Sequence, residues 1–368
     1  MLQTRKIKLC LVGDMLSGGG AERVHAILSE FFVSKGLEVH NVIVTDRITY
    51  SYSGSLLNLG LLKNSSNGFL NKLKRFRVLS RYISSEKFDF IIDFRMRRKP
   101  LQDLLIAKII YTAPAIYTVH SSRLEWYLPR NKWLTNAIYG KAFGLVAITE
   151  KTKQRIQKEY GLKNVSTIYN PVDTAQIGKQ AALEFNAPDY KYILAAGGMS
   201  HDGKQFDKLM DAYAQSVLPG SGVKLIILGD GEKRNKLEEY AGILGLDDMI
   251  VFAGFQDNPY VYMRHSLFFV MSSKFEGLPM VLIESLACGT PVISFDCPTG
   301  PSEIIEDRVN GLLIEDQNFD KLTDGMNVLY QDIGLFEKCK SNAVTSIQKF
   351  TVENIGRQWL DYLKIDLN

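Results

Sequence analysis

The feature that most constrains this chain is a repeated alternation between two kinds of segment. Short, continuously apolar runs recur from end to end, separated by stretches whose apolar residues fall at helical spacing. In the first half the runs are KIKLCLVG, VHNVIVT, FDFIIDF, AIYTVH, GLVAIT and VSTIYN; in the second they are YILAAGG, KLIILGD, IVFAGF, LFFVMSS, PVISFD and GLLIE. A strand apolar on both sides must be covered on both faces, the condition of a parallel sheet between helix layers. Helices predicted over 21–35, 204–215 and 232–244 supply the crossovers. The pattern therefore predicts an α/β chain with two Rossmann-like, doubly wound parallel-sheet domains. Asn170-Pro171 in YNPVDTAQ stops the last strand of the first set. The predicted domains are 1–172 and 173–351, with the polar stretch up to Asp189 as linker plus entry to the second. Residues 352–368 form a last helix that packs back on the first domain.

The net charge of +4 conceals an asymmetry: residues 1–170 hold 27 Lys+Arg against 12 Asp+Glu, and the remainder holds 17 against 28. A basic half joined to an acidic half points to an anionic partner for the first: nucleic acid, an anionic membrane or a phosphorylated substrate. The four cysteines, Cys10, Cys288, Cys297 and Cys339, form no CxxC pair. Neither a disulfide framework nor a zinc site is implied, and a reducing cytoplasm fits. No signal-peptide pattern is present, and no stretch approaches the roughly 20 apolar residues of a spanning helix.

In a doubly wound sheet ligands bind beyond the carboxyl ends of the strands, so the residues just after the predicted strands carry the candidates. VGDMLSGGGAERV, residues 12–24, runs from a strand through Gly18, Gly19 and Gly20 into a helix. Glycines let a backbone approach a ligand, and a helix start offers free N–H groups. The stretch meets neither GxGxxG nor GxxxxGK[ST], and a purely structural turn is the plain alternative. His120 ends AIYTVH where strand meets loop, whereas His25 and His40 fall inside a helix and a strand and read as packed residues. A histidine satisfied by neighbouring backbone is the alternative for His120. In AAGGMSHDGKQFDKLMDAY a strand ends at Gly197-Gly198, and Lys204 stands at the start of a helix. Its ammonium suits a phosphate, or bulk water. No HExxH or other ligand spacing supports a metal.

SSKFEGLPMVLIESLACGTPVI, residues 272–293, places two acids eight positions apart. Gly277 and Pro279 fit a tight turn before a helix that Gly289 ends. Glu276 is held at the ligand face by that turn, and Glu284 lies two turns inside, among Leu282, Ile283 and Leu286. A carboxylate in that setting needs partners; ribose hydroxyls and buried backbone N–H groups both qualify. The following loop, DCPTGPSEII, reads as positioning.

FEGLPMVLIESLACGTPVI resembles the E-x7-E signature of retaining glycosyltransferases of the GT-B fold, the family 4 group. SGGGAERV is similar to that family's N-terminal glycine loop, YNPVD to its interdomain connection, VFAGF to its base-proximal strand, and DCPTGPSEII with NGLLI to its closing segment. The ordered set spans nearly the whole chain. The resemblance implies two Rossmann-like domains facing across a cleft and metal-independent, retaining transfer of a hexose or N-acetylhexosamine from a nucleotide sugar, a UDP-sugar, without a cofactor. It implies that Glu284 accepts hydrogen bonds from the ribose and that Glu276 lies by the donor sugar, with His120 reaching the transferred sugar. It further implies that amides around Gly277, Leu278 and Pro279 touch the sugar and Gly19 and Gly20 the diphosphate. Gly198 and Lys204 complete the donor site, and Phe255 lies beside the base.

The chain departs from the family at one place. An arginine usually follows the glycine of the AAGG strand, paired with a lysine a few residues on; here Gly198 and Met199 occupy that region and the loop to Lys204 is one residue longer. A departing diphosphate needs positive charge, so Lys204 alone, Arg123 or a shifted side chain must supply it. The departure also motivates another reading, a non-catalytic GT-B partner in a glycan-assembly complex, and the same two-domain architecture leaves a third, a sugar-nucleotide epimerase.

For the acceptor, segment 61–85 carries Lys63, Lys72, Lys74, Arg75, Arg77 and Arg81 before any acid, with Phe69, Leu70, Leu73, Phe76 and Leu79 at helical spacing. Such a helix can lie on an anionic bilayer; a solvated helix packed by its apolar side is the alternative. With Arg123 and the cluster Arg95, Arg97, Arg98 and Lys99, it is expected to face a lipid-linked, polyprenyl-diphosphate saccharide acceptor or the membrane itself. The expectation is a peripheral protein on the cytoplasmic membrane face. No recognition motif for nucleic acid accompanies the charge.

Overall fold

The computed structural model describes residues 6–64 and 68–366. The chain divides into two units, Met1–Pro171 with Val352–Asn368, and Val172–Thr351. The first unit is built on seven strands: β1 (Lys8–Gly13), β2 (Glu38–Ile43), β3 (Ser55–Asn58), β4 (Phe90–Asp93), β5 (Ala115–Val119), β6 (Gly144–Ala147) and β7 (Val165–Thr167). Their order is β3-β2-β1-β4-β5-β6-β7, and every pairing is parallel. Successive side chains of a strand point to opposite faces, and β1 shows both faces filled. Leu9 and Leu11 pack with Leu28 and Phe32 of α1 (Gly20–Ser34) and with Ile355 and Trp359 of the C-terminal helix, Val352–Leu363. Cys10 and Val12 pack on the other side with Leu79 and Ile83 of α2 (Phe69–Glu86).

The C-terminal helix crosses α1 closely. A Cβ on Gly356 would stand 2.3 Å from the Phe31 ring, and Lys35 Nζ meets Glu353 Oε2 at 3.0 Å. Three further helices complete this unit: α3 (Pro100–Leu105), α4 (Lys132–Tyr139) and α5 (Glu150–Tyr160). Strand β3 was not expected from the sequence. It is a four-residue edge strand, SLLN, with no buried residue, so it carries neither a continuous apolar run nor a clear alternation.

The second unit opens on a helix where the sequence suggested linker, α6 (Thr174–Ala181). The Asp173 side chain caps it, accepting from Gln176 N at 2.8 Å, and Ile177 and Ala181 are buried. Two apolar residues one turn apart in a polar run are too few to announce a helix by periodicity. Six parallel strands follow: β8 (Tyr192–Ala196), β9 (Lys224–Leu228), β10 (Ile250–Gly254), β11 (Phe269–Met271), β12 (Val292–Phe295) and β13 (Gly311–Ile314), ordered β10-β9-β8-β11-β12-β13. Ile193, Leu225, Val270 and Ile293 share one core with Leu209 and Tyr213 of α7 (Phe206–Gln215).

Helix α7 begins two residues later than expected, because Gln205 takes a left-handed conformation (φ 52°). Lys204 is thereby left on the loop. The other helices are α8 (Arg234–Ile243), α9 (Tyr260–His265), α10 (Met280–Ala287), α11 (Pro301–Ile304), α12 (Phe319–Gln331) and α13 (Ile333–Ser346). In each sheet the strand order reverses once, at β1/β4 and at β8/β11. Connections leave such a point toward opposite faces and open a crevice at the carboxyl ends of the strands.

Candidate active site

Three loops meet at the carboxyl edge of β8, β11 and β12. The loop after β8 is tied to the loop after β11 by Lys274 N donating to Gly203 O at 2.9 Å and Ser272 Oγ donating to Lys204 O at 2.7 Å. The loop after β12 adds Thr299 Oγ1, which donates to Glu276 O at 2.5 Å. Gly300, at φ 100°, presses on the turn at 277–279, since a Cβ there would lie 2.5 Å from Gly277 O and from Pro279 Cδ. Only glycine combines that backbone conformation with that approach.

Within this frame Lys204 Nζ donates to Glu276 Oε1 at 2.6 Å, the two side chains being 21% and 17% exposed. The lysine stem runs back over the end of β8, where a Cβ on Gly197 would stand 2.7 Å from its Cε. An ammonium has three donors, so one contact with Glu276 leaves capacity for phosphate oxygens. The carboxylate can take hydroxyl protons or face a developing positive charge.

Leu278 and Pro279 are buried in the turn, and α10 starts directly after it with no side-chain cap. Glu284, on α10, is 6% exposed, and Tyr260 OH donates to its Oε1 at 3.4 Å. Phe255, just past β10, is 73% exposed, an unusual setting for a large aromatic side chain. Arg234 arrives at the same edge from α8, its Nη2 donating to Phe252 O at 3.1 Å. A Cβ on Gly254 would meet its Nη1 at 3.1 Å. Tyr260 and Arg234 were not singled out from the sequence. Arg234 had one usable signal, its place in the loop-to-helix turn after a strand; Tyr260 had none.

The stretch where the family arginine was missed contains no hidden substitute of its own. Met199 is buried in the core, Gly198 is exposed, and the exposed His201 stacks along Phe275 with ring centroids 6.2 Å apart. Among the described residues, Lys204 is the cation ion-paired with Glu276.

In the first unit, His120 Nε2 lies 2.9 Å from Thr118 Oγ1, with the ring tilted on Phe94. Burial and then the Arg97 guanidinium push the imidazole down to about 3, so it is neutral at physiological pH. Gly19 and Gly20 open α1 as the sequence suggested, but Glu22 folds back on that helix start. Its Oε2 would lie 2.1 Å from a Cβ on Gly19. Burial raises the pKa of Glu22 and of Asp14 nearby. The helix start at Gly19–Gly20, expected to meet the diphosphate, thus faces the Glu22 carboxyl in this arrangement.

On α2, Lys72, Lys74, Arg77 and Arg81 are exposed, together with Phe69 and Leu70 at 78% and 79%. Arg75 turns inward, and its Nη2 donates to Val44 O at 2.9 Å. Arg123 stacks on Trp126 with its guanidinium carbon 5.1 Å from the ring centroid, and Arg98 meets the same ring at 4.7 Å. Only half of the cluster at 95–99 faces solvent, contrary to expectation: Arg98 and Lys99 are exposed, whereas Arg95 and Arg97 are buried. Arg95 grips buried Asp93 through two bonds of 3.0 and 2.6 Å, and Arg97 donates to Thr118 O at 2.7 Å while lying over Tyr117 and Tyr127. Asp93, at 0% exposure, demands that countercharge, and the core consumes both arginines. Glu38, His40 and Glu86 also converge, and Lys8 Nζ already bridges the two acids at 2.8 and 3.2 Å.

Comparison with known proteins agrees with the two-unit α/β fold. The model for "Glycosyltransferase Family 4" matches residues 18–176, and that for "Glycosyl transferases group 1" matches residues 179–345. The chain is 30% identical over 367 residues to the N-acetylgalactosamine-N,N'-diacetylbacillosaminyl-diphospho-undecaprenol 4-alpha-N-acetylgalactosaminyltransferase of Campylobacter jejuni, covering 95% of this chain and 97% of the relative. A glycosyltransferase from Rickettsia africae superposes with TM-score 0.81 at 18% identity, covering 98% of this chain and 99% of the other. HepE of Anabaena, solved with UDP, gives 0.74 at 18%, covering 97% and 100%. With two parallel-sheet units, this fold and these matches, the chain belongs to the group 1, family 4 glycosyltransferases of the GT-B fold.

Proposed function

We propose that the protein transfers a hexose or N-acetylhexosamine from a UDP-sugar to a polyprenyl-diphosphate-linked saccharide, with retention at the anomeric carbon and without a metal ion. The observation that carries this reading is the contact of Lys204 with Glu276 at the reversal point of the second sheet, with buried Glu284 one helix further on. In the proposed step the bond from the anomeric carbon to the diphosphate oxygen breaks with its electron pair leaving on the diphosphate. Lys204 faces that charge. Glu276 faces the positive charge developing on the sugar ring, or holds its hydroxyls. The acceptor oxygen bonds to the anomeric carbon, and its proton passes to the departing phosphate. Preorganised charges of this kind are each worth about 10²–10³ in rate.

Glu284, steadied by Tyr260, is assigned to the ribose, and exposed Phe255 to the face of the base. A neutral His120 suits hydrogen bonding to a sugar hydroxyl. The choice of UDP is supported by the UDP held in the Anabaena relative, and the choice of acceptor by the diphospho-undecaprenol named for the Campylobacter enzyme. No helix among the described residues is long and apolar enough to cross a membrane. We place the protein on the cytoplasmic membrane face through α2.

The test is a panel of UDP-sugars with a lipid-linked saccharide, with and without EDTA, read by mass spectrometry. The reading expects a mass gain of one sugar, UDP release, and no loss with the chelator. Conversion of donor without acceptor would point to an epimerase. Donor binding without turnover across the acceptors would point to a non-catalytic partner.

A further inference from the structure

The first unit contains a cavity of about 240 Å³ between α2 and the carboxyl ends of β1 and β2, beside the sheet's reversal point. Five cations line it: Lys63, Lys72, Arg75, Arg95 and Lys99. Among the described residues no carboxylate does. Asp93 already matches the charge of Arg95, which leaves four cations converging from three segments. Arg75 is the most constrained of them. Its Nη2 is spent on Val44 O, yet its Nε is buried with no hydrogen-bond partner. A buried donor left unpaired costs about 1–3 kcal/mol, and an anion in the cavity would remove that cost.

The remaining wall is apolar and includes Val12, Val42, Phe76 and Leu79. Lys72, Arg75, Phe76 and Leu79 follow the i, i+3, i+4, i+7 spacing of one helix face. One turn earlier on that face comes Phe69, exposed to 78%, beside Leu70 at 79%. The opposite wall includes Ile106, which begins a π turn, Ile106–Ile110, directly after α3. Such turns concentrate at functional sites. The volume is below the usual range for a drug-sized ligand, about 300–1,000 Å³, so a whole nucleotide sugar is too large. A free inorganic phosphate would leave the apolar wall and the exposed Phe69–Leu70 edge without a role.

We propose that this cavity binds the phosphate or diphosphate headgroup of an isoprenoid lipid. The anion sits on Lys63, Lys72, Arg75 and Lys99, and the first carbons of the chain lie along Phe76 and leave past Phe69 and Leu70. This rests on the lipid-linked acceptor proposed above and gives that acceptor's anchor a place.

The test is titration calorimetry of the full chain with farnesyl diphosphate below its micelle concentration, alongside farnesol, inorganic diphosphate and UDP. Farnesyl diphosphate should bind at least tenfold more tightly than farnesol or inorganic diphosphate. Lys72→Ala and Lys99→Ala, both at exposed positions, should each weaken it about tenfold. Phe69→Ser should weaken farnesyl diphosphate but not inorganic diphosphate, and UDP affinity should stay unchanged in all three. Equal binding of farnesyl and inorganic diphosphate, or affinities unmoved by the substitutions, would overturn the proposal. If these variants glycosylate the lipid-linked saccharide at wild-type KM, the cavity assignment fails and the acceptor reading survives. If farnesyl diphosphate binds as stated while no lipid-linked saccharide is glycosylated, the reverse holds.

Discussion

Lys204 and Glu276, 72 residues apart in sequence, meet at 2.6 Å because each is the product of a loop leaving one of the two strands that flank the reversal of the second sheet. Neither loop holds the pair alone. Ser272 fixes the backbone of Lys204, and Thr299 that of Glu276.

Replacing Lys204 by Met keeps the length of the stem and removes the charge. With no second cation paired at Glu276 among the described residues, kcat should fall roughly 10²–10³-fold. Lys204→Arg should recover part of that loss. Steady-state kinetics on the transfer reaction reads both.

Glu284 is nearly inaccessible, so its role is read best through binding. Glu284→Gln should weaken UDP by about tenfold or more, the scale of a hydrogen bond to a charged group. Tyr260→Phe, which removes only a 3.4 Å contact, should weaken it less. Calorimetry with UDP ranks the two.

Acid should destabilise the first unit through His25. This side chain is fully buried, its Nε2 lies 3.0 Å from Asn41 Oδ1, and burial pushes its pKa down to about 4. An unfolded chain takes up that proton near pH 6.5. Below this pH the unfolded state binds more protons than the native one, so stability is lost as pH falls from about 6.5 toward 4, with a slope of up to about 1.4 kcal/mol per unit. Urea midpoints against pH should show this slope, and His25→Gln should flatten it. His120, depressed for the same reason, leaves a residual slope.

Exposed Lys72, Lys74, Arg77 and Arg81 predict salt-sensitive binding to anionic vesicles. Reversing Lys74 and Arg77 to Glu, neither of which lines the cavity under α2, should lower partitioning by about tenfold or more. Binding to neutral vesicles should change little. Vesicle sedimentation at two salt concentrations checks this.

The sequence made twelve of the thirteen strands among the described residues legible because buried parallel strands write themselves as largely apolar runs; the edge strand β3 does not. It also made legible which loops to inspect, since strand ends and glycines mark the ligand edge. It could not show that Gln205 would break the helix and release Lys204 toward Glu276, because a left-handed non-glycine residue has no local signature. Nor could it show that Arg95 and Arg97 serve Asp93. Those three residues sit within five positions, yet the burial of Asp93 depends on Tyr111 and Thr118, and that of Arg97 on Tyr139, all arriving from elsewhere. Net charge counts an arginine the same way whether it faces water or the core.

The most direct measurement is the transfer rate of Glu276→Gln with UDP-sugar and lipid-linked acceptor, taken together with its affinity for UDP. The proposed chemistry predicts that kcat falls about 10²-fold or more while UDP affinity changes less than about threefold, because the amide keeps the shape of the side chain and loses the charge that faces the reacting carbon. Turnover within a few-fold of wild type would contradict it.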